Sequence, residues 1–506
     1  MPATSHATSP TALLLPQVLL EATLQRGADA EPLQRQLHRR LQEAILAGRL
    51  APGSRLPGSR ALAEGLGVSR NTVIAAYEQL SAEGYLRPDR QGTRVAALAR
   101  PAAATARGRA AGAEAFSPAQ PSLAQGLAQR LAHIQPTGAG TQFGLPLRPG
   151  VPALSHFPLA AWRRALDRAI TQAGPGALAY GEPLGEPVLR AAVARHLSVA
   201  RGVRCSPEQV VITEGAQEAL SLCARLLSNP GDLAWVENPG YRGAKAALRA
   251  ADLSLHPLPV DREGLCATEQ DWARHPPRLI YVTPSHQYPT GAVLSAARRL
   301  QLMAQAQRHG CWLIEDDYDS EFRHAGESIG AMQGLVPQAP VLYVGTFSKT
   351  LFPSLRLGFL VLPEALLPRL QGPLGELLRG GQRHSQLALA QFMENGEFAR
   401  HLGRMRRLYR SRQSALRQAL QEHLAVPHQI EGGHCGLHLC VRFGSAWPDQ
   451  ALAEQAHRHG MAPSALSGFA VSPGPADNGL VLGYGNTPSE LFAPLIQRLS
   501  GLMRTL

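Results

Sequence analysis

The chain is 506 residues long, 44% hydrophobic, and carries a formal net charge of +12. Single cores rarely grow past roughly 250–300 residues, so more than one domain is expected, and the apolar content excludes wholesale disorder. Only two of the 50 basic residues are lysines, Lys245 and Lys349. Chemistry that needs a primary side-chain amine therefore has two candidates. The six cysteines (205, 223, 266, 311, 435, 440) are scattered, with no CxxC pair and no zinc-type spacing. They exclude a disulfide scaffold and a metal site built on thiols, and fit reduced thiols in a cytoplasmic protein. Residues 13–20 are apolar but interrupted by Pro16 and not framed as a signal peptide. No apolar run reaches the about 18 residues of a membrane span, so no membrane partner is expected.

Residues 1–29 form an N-terminal extension. From residue 30 to 96 the pattern is one of short, capped helices. Leu33, Leu37, Leu41, Ile45 and Leu46 fall at helical spacing, with Gly48 near the end. Ser59 is the expected N-cap of a helix over 60–66, which Gly67 stops. Ser69 caps the next, which carries Val73, Tyr77 and Leu80 on one face and ends at Gly84. Residues 85–86 and 93–95 read as two short strands around 88–92. Helix, helix, tight turn, helix and hairpin make a winged helix-turn-helix.

Residues 97–141 are rich in Ala, Pro, Gly and Ser and read as a linker, with one possible short helix at 123–134. From 142 to 506, short β-rich runs (210–213, 233–236, 279–283, 312–315, 341–344) mostly alternate with helix-length segments. That alternation predicts an α/β domain with a mostly parallel sheet covered by helices.

The first domain's sequence, LPGSRALAEGLGVSRNTVIAAYEQLSAEGYL with a QGTRV wing, resembles the GntR family of bacterial regulators over roughly residues 30–95. Operator DNA is the implied partner. A helix over 69–80 would present its first residues to the major groove. Arg70 can donate two hydrogen bonds to a guanine edge, Asn71 can pair with adenine, and Thr72 is small enough to reach a base methyl or a phosphate. The resemblance gives Arg60 a phosphate contact and places Arg90, Gly92, Thr93 and Arg94 at the wing tip. There glycine permits close approach and the arginines neutralise phosphate. Residues 1–96 carry 11 Arg against 8 acids, so net charge alone would not identify a DNA binder.

The large domain resembles fold-type I aminotransferases dependent on pyridoxal phosphate, in the MocR-type pattern found within the GntR family. The motifs are GVPALSHFP (150–158), YGEPLGEPVLR (180–190), TEGAQEAL (213–220), ENPGY (237–241), YVTPSHQYPTG (281–291), IEDDYDSEF (314–322) and YVGTFSKTLFPSLRLG (343–358). Lys349, just after an apolar run, is the amine expected to form the Schiff base with the cofactor aldehyde, and Lys245, in AKAALRAA, reads as an exposed helix face. A carboxylate at the end of the 312–315 run can hold the pyridine nitrogen protonated; the resemblance gives that role to Asp316, with Asp317 as the alternative. It also implies that Tyr318 bonds the ring's phenolic oxygen and Tyr241 stacks on the ring. Gly215, Ala216 and Gln217 open a helix whose N–H groups can cradle the phosphate, joined by Thr346, Ser348 and Arg356. His286 and Gln287 precede Tyr288, which stands where many relatives have Asn. Val481 stands where aminotransferases usually carry a carboxylate-clamping Arg, and Arg242 is the candidate substitute. The resemblance implies a regulator sensing pyridoxal phosphate or an amino compound, as a head-to-tail homodimer. An aminotransferase with a secondary DNA-binding domain is the alternative.

Overall fold

A computed structural model describes residues 24–27, 30–89, 92–97, 144–324 and 329–505. The chain divides into two units, Met1–Leu123 and Ala124–Leu506. The expected helix at 123–134 lies outside the described residues, as do most of the N-terminal extension and linker.

In the first unit, α1 (Leu33–Leu46), α2 (Ser59–Leu66) and α3 (Arg70–Ala82) are followed by β1 (Leu86–Asp89) and β2 (Gly92–Val95). Leu37, Leu41, Ile45, Leu62, Val73, Tyr77, Leu80, Leu86 and Val95 form its core. Leu46, read as part of that face, is 54% exposed, because the last turn of α1 overshoots the core. Ser59 is not the cap of α2. It is the first helical residue, and Gly58 is the N-cap. Ser69 does cap α3, accepting from Thr72 N–H at 3.1 Å. Gly67, with φ +61°, makes the left-handed stop between the two helices. The hairpin is longer than its apolar residues suggest, since Arg87, Pro88 and Asp89 pair with Arg94, Thr93 and Gly92.

The second unit is built on an eight-stranded sheet in the order β3-β10-β9-β8-β7-β4-β5-β6. The strands are β3 (Val210–Thr213), β4 (Leu233–Asn238), β5 (Ser254–Asp261), β6 (Gly264–Leu265), β7 (Leu279–Val282), β8 (Trp312–Asp317), β9 (Val341–Thr346) and β10 (Gly358–Val361). The run β9-β8-β7-β4-β5 is parallel, while β10 is antiparallel to both its neighbours. Its central strands are buried along nearly their whole length, as expected where helices cover both faces. A second, antiparallel sheet, β11-β12-β14-β13, comprises His428–Glu431, His438–Phe443, Gly479–Gly483 and Ser464–Ala465. No described helix is long and apolar enough to cross a membrane.

Candidate cofactor-binding site and DNA-reading head

The site assembles at the C-terminal ends of β8 and β9 and the loops around them. Lys349 follows β9, and its Nζ donates to the Gly150 carbonyl at 2.8 Å. Gly150 has φ +74°, and a Cβ there would sit 3.1 Å from that nitrogen, so glycine lets the backbone meet the amine. Burial, aided by the Arg148 cation, lowers the amine's pKa, against the pull of Asp319 and Asp316.

The two adjacent carboxylates at the end of β8 are separated by their partners. Asp317 is taken up by Arg201, whose Nε lies 2.7 Å from Oδ2, and by the Tyr343 hydroxyl. Burial works to raise its pKa, but Arg201 holds it below the usual carboxylate range. Asp316 accepts from the Tyr281 hydroxyl at 2.7 Å through Oδ2, while its buried Oδ1 has no partner. A buried acceptor without a donor is costly unless a ligand supplies one. Burial pushes the Asp316 carboxyl up to about 7. An incoming ring N–H would supply the donor that Oδ1 lacks.

The side of the site around Gly215 is built by close backbone approaches. Gly215 (φ +84°) is the N-cap of α6 (Ala216–Leu227), with α4 (Leu159–Ala173) and α5 (Pro187–Arg201) before it in the chain. A Cβ on Gly358 would come within 2.8 Å of the Gly215 Cα, so β10 lies directly against this helix start. Thr346 pairs with Gly358 in the sheet, which brings the TFSK turn to the same place. Thr346 Oγ1 lies within hydrogen-bond reach of both the N–H and the hydroxyl of Ser348. Arg356 donates to the Glu214 carbonyl at 2.9 Å and lies within 4 Å of where a Gly215 Cβ would be. Gly215, Ala216, Thr346, Ser348 and Arg356 thus surround one helix N-terminus, a ready anion site. Gln217 differs: its amide donates to Gly243 O at 2.9 Å, bracing the start of α7 (Arg242–Ala250).

Tyr241 is the N-cap of α7, its ring 6.0 Å from Tyr288. Burial, with Asp316 nearby, pushes its hydroxyl up to about 12. The Tyr318 hydroxyl donates to the His286 carbonyl at 3.0 Å and lies 3.1 Å from His286 Nδ1. It is therefore tied to the PSHQ loop, a partner the sequence did not suggest. His286 Nδ1 is 2.9 Å from Asp319 Oδ1, and the His438 ring packs close by. Donor atoms of His286, Asp319 and His438 lie within 4.8 Å of one another, the spacing of a metal cluster. Internal bonds already engage one nitrogen of each ring, His438 through Pro289 O. Gln287 holds its own loop, donating to Pro239 O and accepting from Thr290.

One expectation is corrected, and two expected site residues prove to be engaged within the chain. Lys245 is not on an exposed face. It is 6% exposed and donates to Phe469 O, because the turn at Ser467–Phe469 covers α7. Burial, with Arg242 and Arg249, lowers its amine to about 8. Arg242 is held by the same turn, donating to Gly468 O at 2.7 Å with its guanidinium 4.7 Å above the Phe469 ring. Its geometry is that of a clasp rather than an open carboxylate clamp. Arg94 is no unencumbered wing cation either: Nε bonds Asp89 at 2.7 Å and Nη1 bonds Gly53 O.

Val481 is buried in a cluster with Cys440, Leu466 and Phe469, against Tyr288. Sequence reading passed over Tyr281, Arg201 and Asp319. Asp319 is visible in DDYD as a third carboxylate and Tyr281 opens the YVTPSHQYPTG motif, whereas Arg201 carries no such signal.

In the head, Arg60 and Asn71 are exposed, Thr72 is half-buried and bonded to Ser69, and Arg70 Nε reaches Ser59 Oγ at 3.3 Å. Gly92, with φ +133°, meets the Arg55 guanidinium, which a Cβ would approach to 3.1 Å. Thr93 accepts Leu56 N–H through its carbonyl. Arg90 lies outside the described residues.

A cofactor-free test separates burial of Asp316 from its chemistry. Its folded pKa, about 7, exceeds the ordinary 3.8. The folded chain therefore holds a proton that the unfolded chain releases, and the resulting stability is lost as pH rises from about 3.8 to about 7. Asp316→Asn, always neutral, should gain on the native chain across that window by at most about 1.4 kcal/mol per pH unit. Melting of both proteins across the window checks this; a constant difference would refute it.

Residues 33–95 match the family "Bacterial regulatory proteins, gntR family", and 147–455 match "Aminotransferase class I and II". The chain is 42% identical to the "Probable rhizopine catabolism regulatory protein MocR" of Rhizobium meliloti, over 91% of each chain. It is 32% identical to the pyridoxine biosynthesis transcriptional regulator PdxR of Corynebacterium glutamicum, covering 92% of this chain and 94% of that one. Among solved structures, the α-aminoadipate aminotransferase LysN of Thermus thermophilus superposes with a TM-score of 0.66 at 29% identity, over 74% of this chain and 97% of that one. These likenesses imply pyridoxal phosphate as cofactor, and Lys349, the unpartnered Asp316 oxygen and the Gly215 helix start fit it. The chain belongs to the GntR family of transcriptional regulators, in the MocR type that joins a DNA-binding winged helix-turn-helix to an aminotransferase-like domain.

Proposed function

We propose that this regulator senses pyridoxal phosphate or a primary amine through its aminotransferase-like unit and changes its hold on operator DNA in response. The observation that carries the reading is the pairing of a half-buried Lys349 amine, set on the Gly150 carbonyl, with a buried Asp316 oxygen that lacks a donor. Bound there, the cofactor supplies an aldehyde that condenses with primary amines. In this reading Lys349 holds it covalently and Asp316 keeps its ring nitrogen protonated. Tyr241 covers its face, Tyr318 and His286 line its phenolic edge, and Gly215, Ala216, Thr346, Ser348 and Arg356 bind its phosphate. Gln217 supports that cradle from behind.

Arg60, Arg70, Asn71 and Thr72, with Ser69 fixing the helix start, contact the operator. Arg90, Gly92, Thr93 and Arg94 form the wing. A homodimer, head-to-tail, would present two such heads to paired half-sites. Ligand binding can shift the heads only if it favours one arrangement of the dimer over another.

Regulation is favoured over steady transamination by the buried apolar Val481 and by the engagement of Arg242 with Gly468. Neither leaves a bidentate clamp for an amino-acid carboxylate. Footprinting on the gene's own upstream region tests the reading, run without additions, with pyridoxal phosphate, and with amino acids or amines. Protection should change with cofactor or with an amine. Identical footprints in all three would remove the sensor, and steady turnover of an amino acid with a keto acid would favour the enzyme.

A further inference from the structure

One surface of the large unit gathers exposed arginines from two helices. Helix α4 (Leu159–Ala173) buries Ala161, Trp162, Ala165 and Ala169 and turns Arg164 and Arg168 to solvent. A longer helix, Glu397–His423, buries Phe398, Leu402, Met405 and Tyr409 and exposes Arg400, Arg404 and Arg407. The two helices meet at a surface hollow of about 320 Å³ into which Arg164, Arg168 and Arg400 converge beside Asn395 and Glu397.

Glu397 is the carboxylate within this hollow, 3.0 Å from Arg400. Its carboxyl is held below the ordinary range chiefly by the Arg400 hydrogen bond, with smaller help from the Arg164 and Arg404 charges. Asp167 is exposed on α4 between the two arginines. Glu394 is engaged by Arg195 at 3.4 Å. No ion pair joins Arg164, Arg168 or Arg404 to a described residue.

Arg164 and Arg168 are four residues apart on one helix, and so are Arg400 and Arg404 on the other. Like charges at that spacing destabilise a helix. Glu397 offsets Arg400 within the hollow, but the repulsion between Arg164 and Arg168 is left without an ion-pair partner among the described residues. A bound polyanion would relieve it.

The row also runs on. Seven residues from Arg400 to Arg407 span about 10 Å of helix. A DNA strand places a phosphate about every 3.4 Å along the axis. A point site for a free anion needs no such extension.

We propose that the Arg164, Arg168, Arg400 and Arg404 surface is a second phosphate-binding face, which takes DNA backbone outside the sequence read by the winged helix. The proposal rests on the DNA-binding role of the head, and assigns to the large unit a part of the affinity but none of the base specificity. It concerns nucleic-acid phosphodiesters; free inorganic phosphate is the competing source of the same chemistry.

The test uses the full chain loaded with pyridoxal phosphate and a combined Arg164→Ala, Arg168→Ala, Arg404→Ala variant. Binding is measured over a range of salt on a duplex trimmed to the operator and on one extended at both ends. On the extended duplex the variant should bind roughly tenfold more weakly at moderate salt, and the slope of log K against log salt should fall by about 2–3. On the trimmed duplex the two proteins should match. An unchanged melting point and visible absorbance show that the variant is folded, with Arg404→Ala alone as a milder check expected to lower the slope by about 1.

Equal affinity and slope on both duplexes would overturn the proposal. So would an equal loss on both, which places the defect in the head, or a change in sedimentation, which makes the surface a contact between copies. Calorimetric binding of inorganic phosphate that the variant loses, with DNA affinity unaltered, would assign the hollow to a free anion instead. If the native chain binds neither duplex, the DNA-binding reading itself fails, a result distinct from every one above.

Discussion

Lys349→Ala is expected to give a folded chain that retains no pyridoxal phosphate covalently. The visible absorbance of the protein-bound cofactor should vanish, and borohydride should fix none of it to the chain. The substitution removes one hydrogen bond, to Gly150 O, and no buried ion pair, so melting should move little. Lys349→Arg makes the sharper control. It keeps a cation that can reach the same carbonyl, but a guanidinium cannot form the bond, and its spectrum should match that of the alanine variant. The rival site is Lys245, and it is a better rival than its sequence suggested. Its amine is buried and lowered to about 8, so it too can lose a proton near neutrality. What separates the two is surroundings: Lys245 faces Phe469 O, whereas the charges of Asp316 and Asp319 bear on Lys349. An unchanged spectrum in Lys349→Ala would move the attachment to Lys245. In footprinting, the same variant should protect the operator with no response to added amine.

The legibility of this fold followed the range of the forces involved. The strands β3, β4, β7, β8 and β9 were readable because burial on both faces demands apolar runs, and each gave one. β5 was not, since Ser254–Asp261 carries two prolines and a histidine and is only partly buried. The second sheet mixes His438, Cys440 and Arg442 into its central strand, which hides the alternation. In the head, helix ends were marked by local chemistry, Ser69 and Gly67, and came out nearly where expected. The site divided in the same way. Lys349 and Asp316 lie in contiguous motifs. The partners that decide between Asp316 and Asp317 lie 35 and 116 residues away, at Tyr281 and Arg201. Lys245 differs for that reason: it shares a polar helix face with Arg242 and Arg249, and the turn that buries it is 224 residues distant.

Arg201→Met is expected to be among the most destabilising single changes in the chain, at about 3–5 kcal/mol. Arg201 ends α5 at 3% exposure. Its guanidinium bonds Asp317 at 2.7 Å, Ser285 Oγ at 2.6 Å and the Ile329 carbonyl. Methionine fills comparable space but leaves Asp317 buried near Asp316 and Asp319, with only hydroxyls, those of Ser320 and Tyr343, as relief. The pH dependence identifies the cause. In the native chain Asp317 is held below its ordinary 3.8, so its contribution is present above that value and is lost as pH falls through the lowered one. Without Arg201 the carboxylate has no counter-charge, and protonation relieves it. The gap between native and variant should therefore be widest at neutral pH and narrow as pH falls toward about 4. A second change, Arg201→Met with Asp317→Leu, removes the stranded charge and should recover much of the loss, since a well-packed apolar pair can replace a buried ion pair at little cost. A gap that ignores pH, or a double variant no better than the single, would mean that Arg201 acts through packing alone. The site gives a second readout. Asp317 anchors the end of β8, and Asp316 sits one residue before it. A loosened anchor should weaken cofactor retention in Arg201→Met even where the chain remains folded.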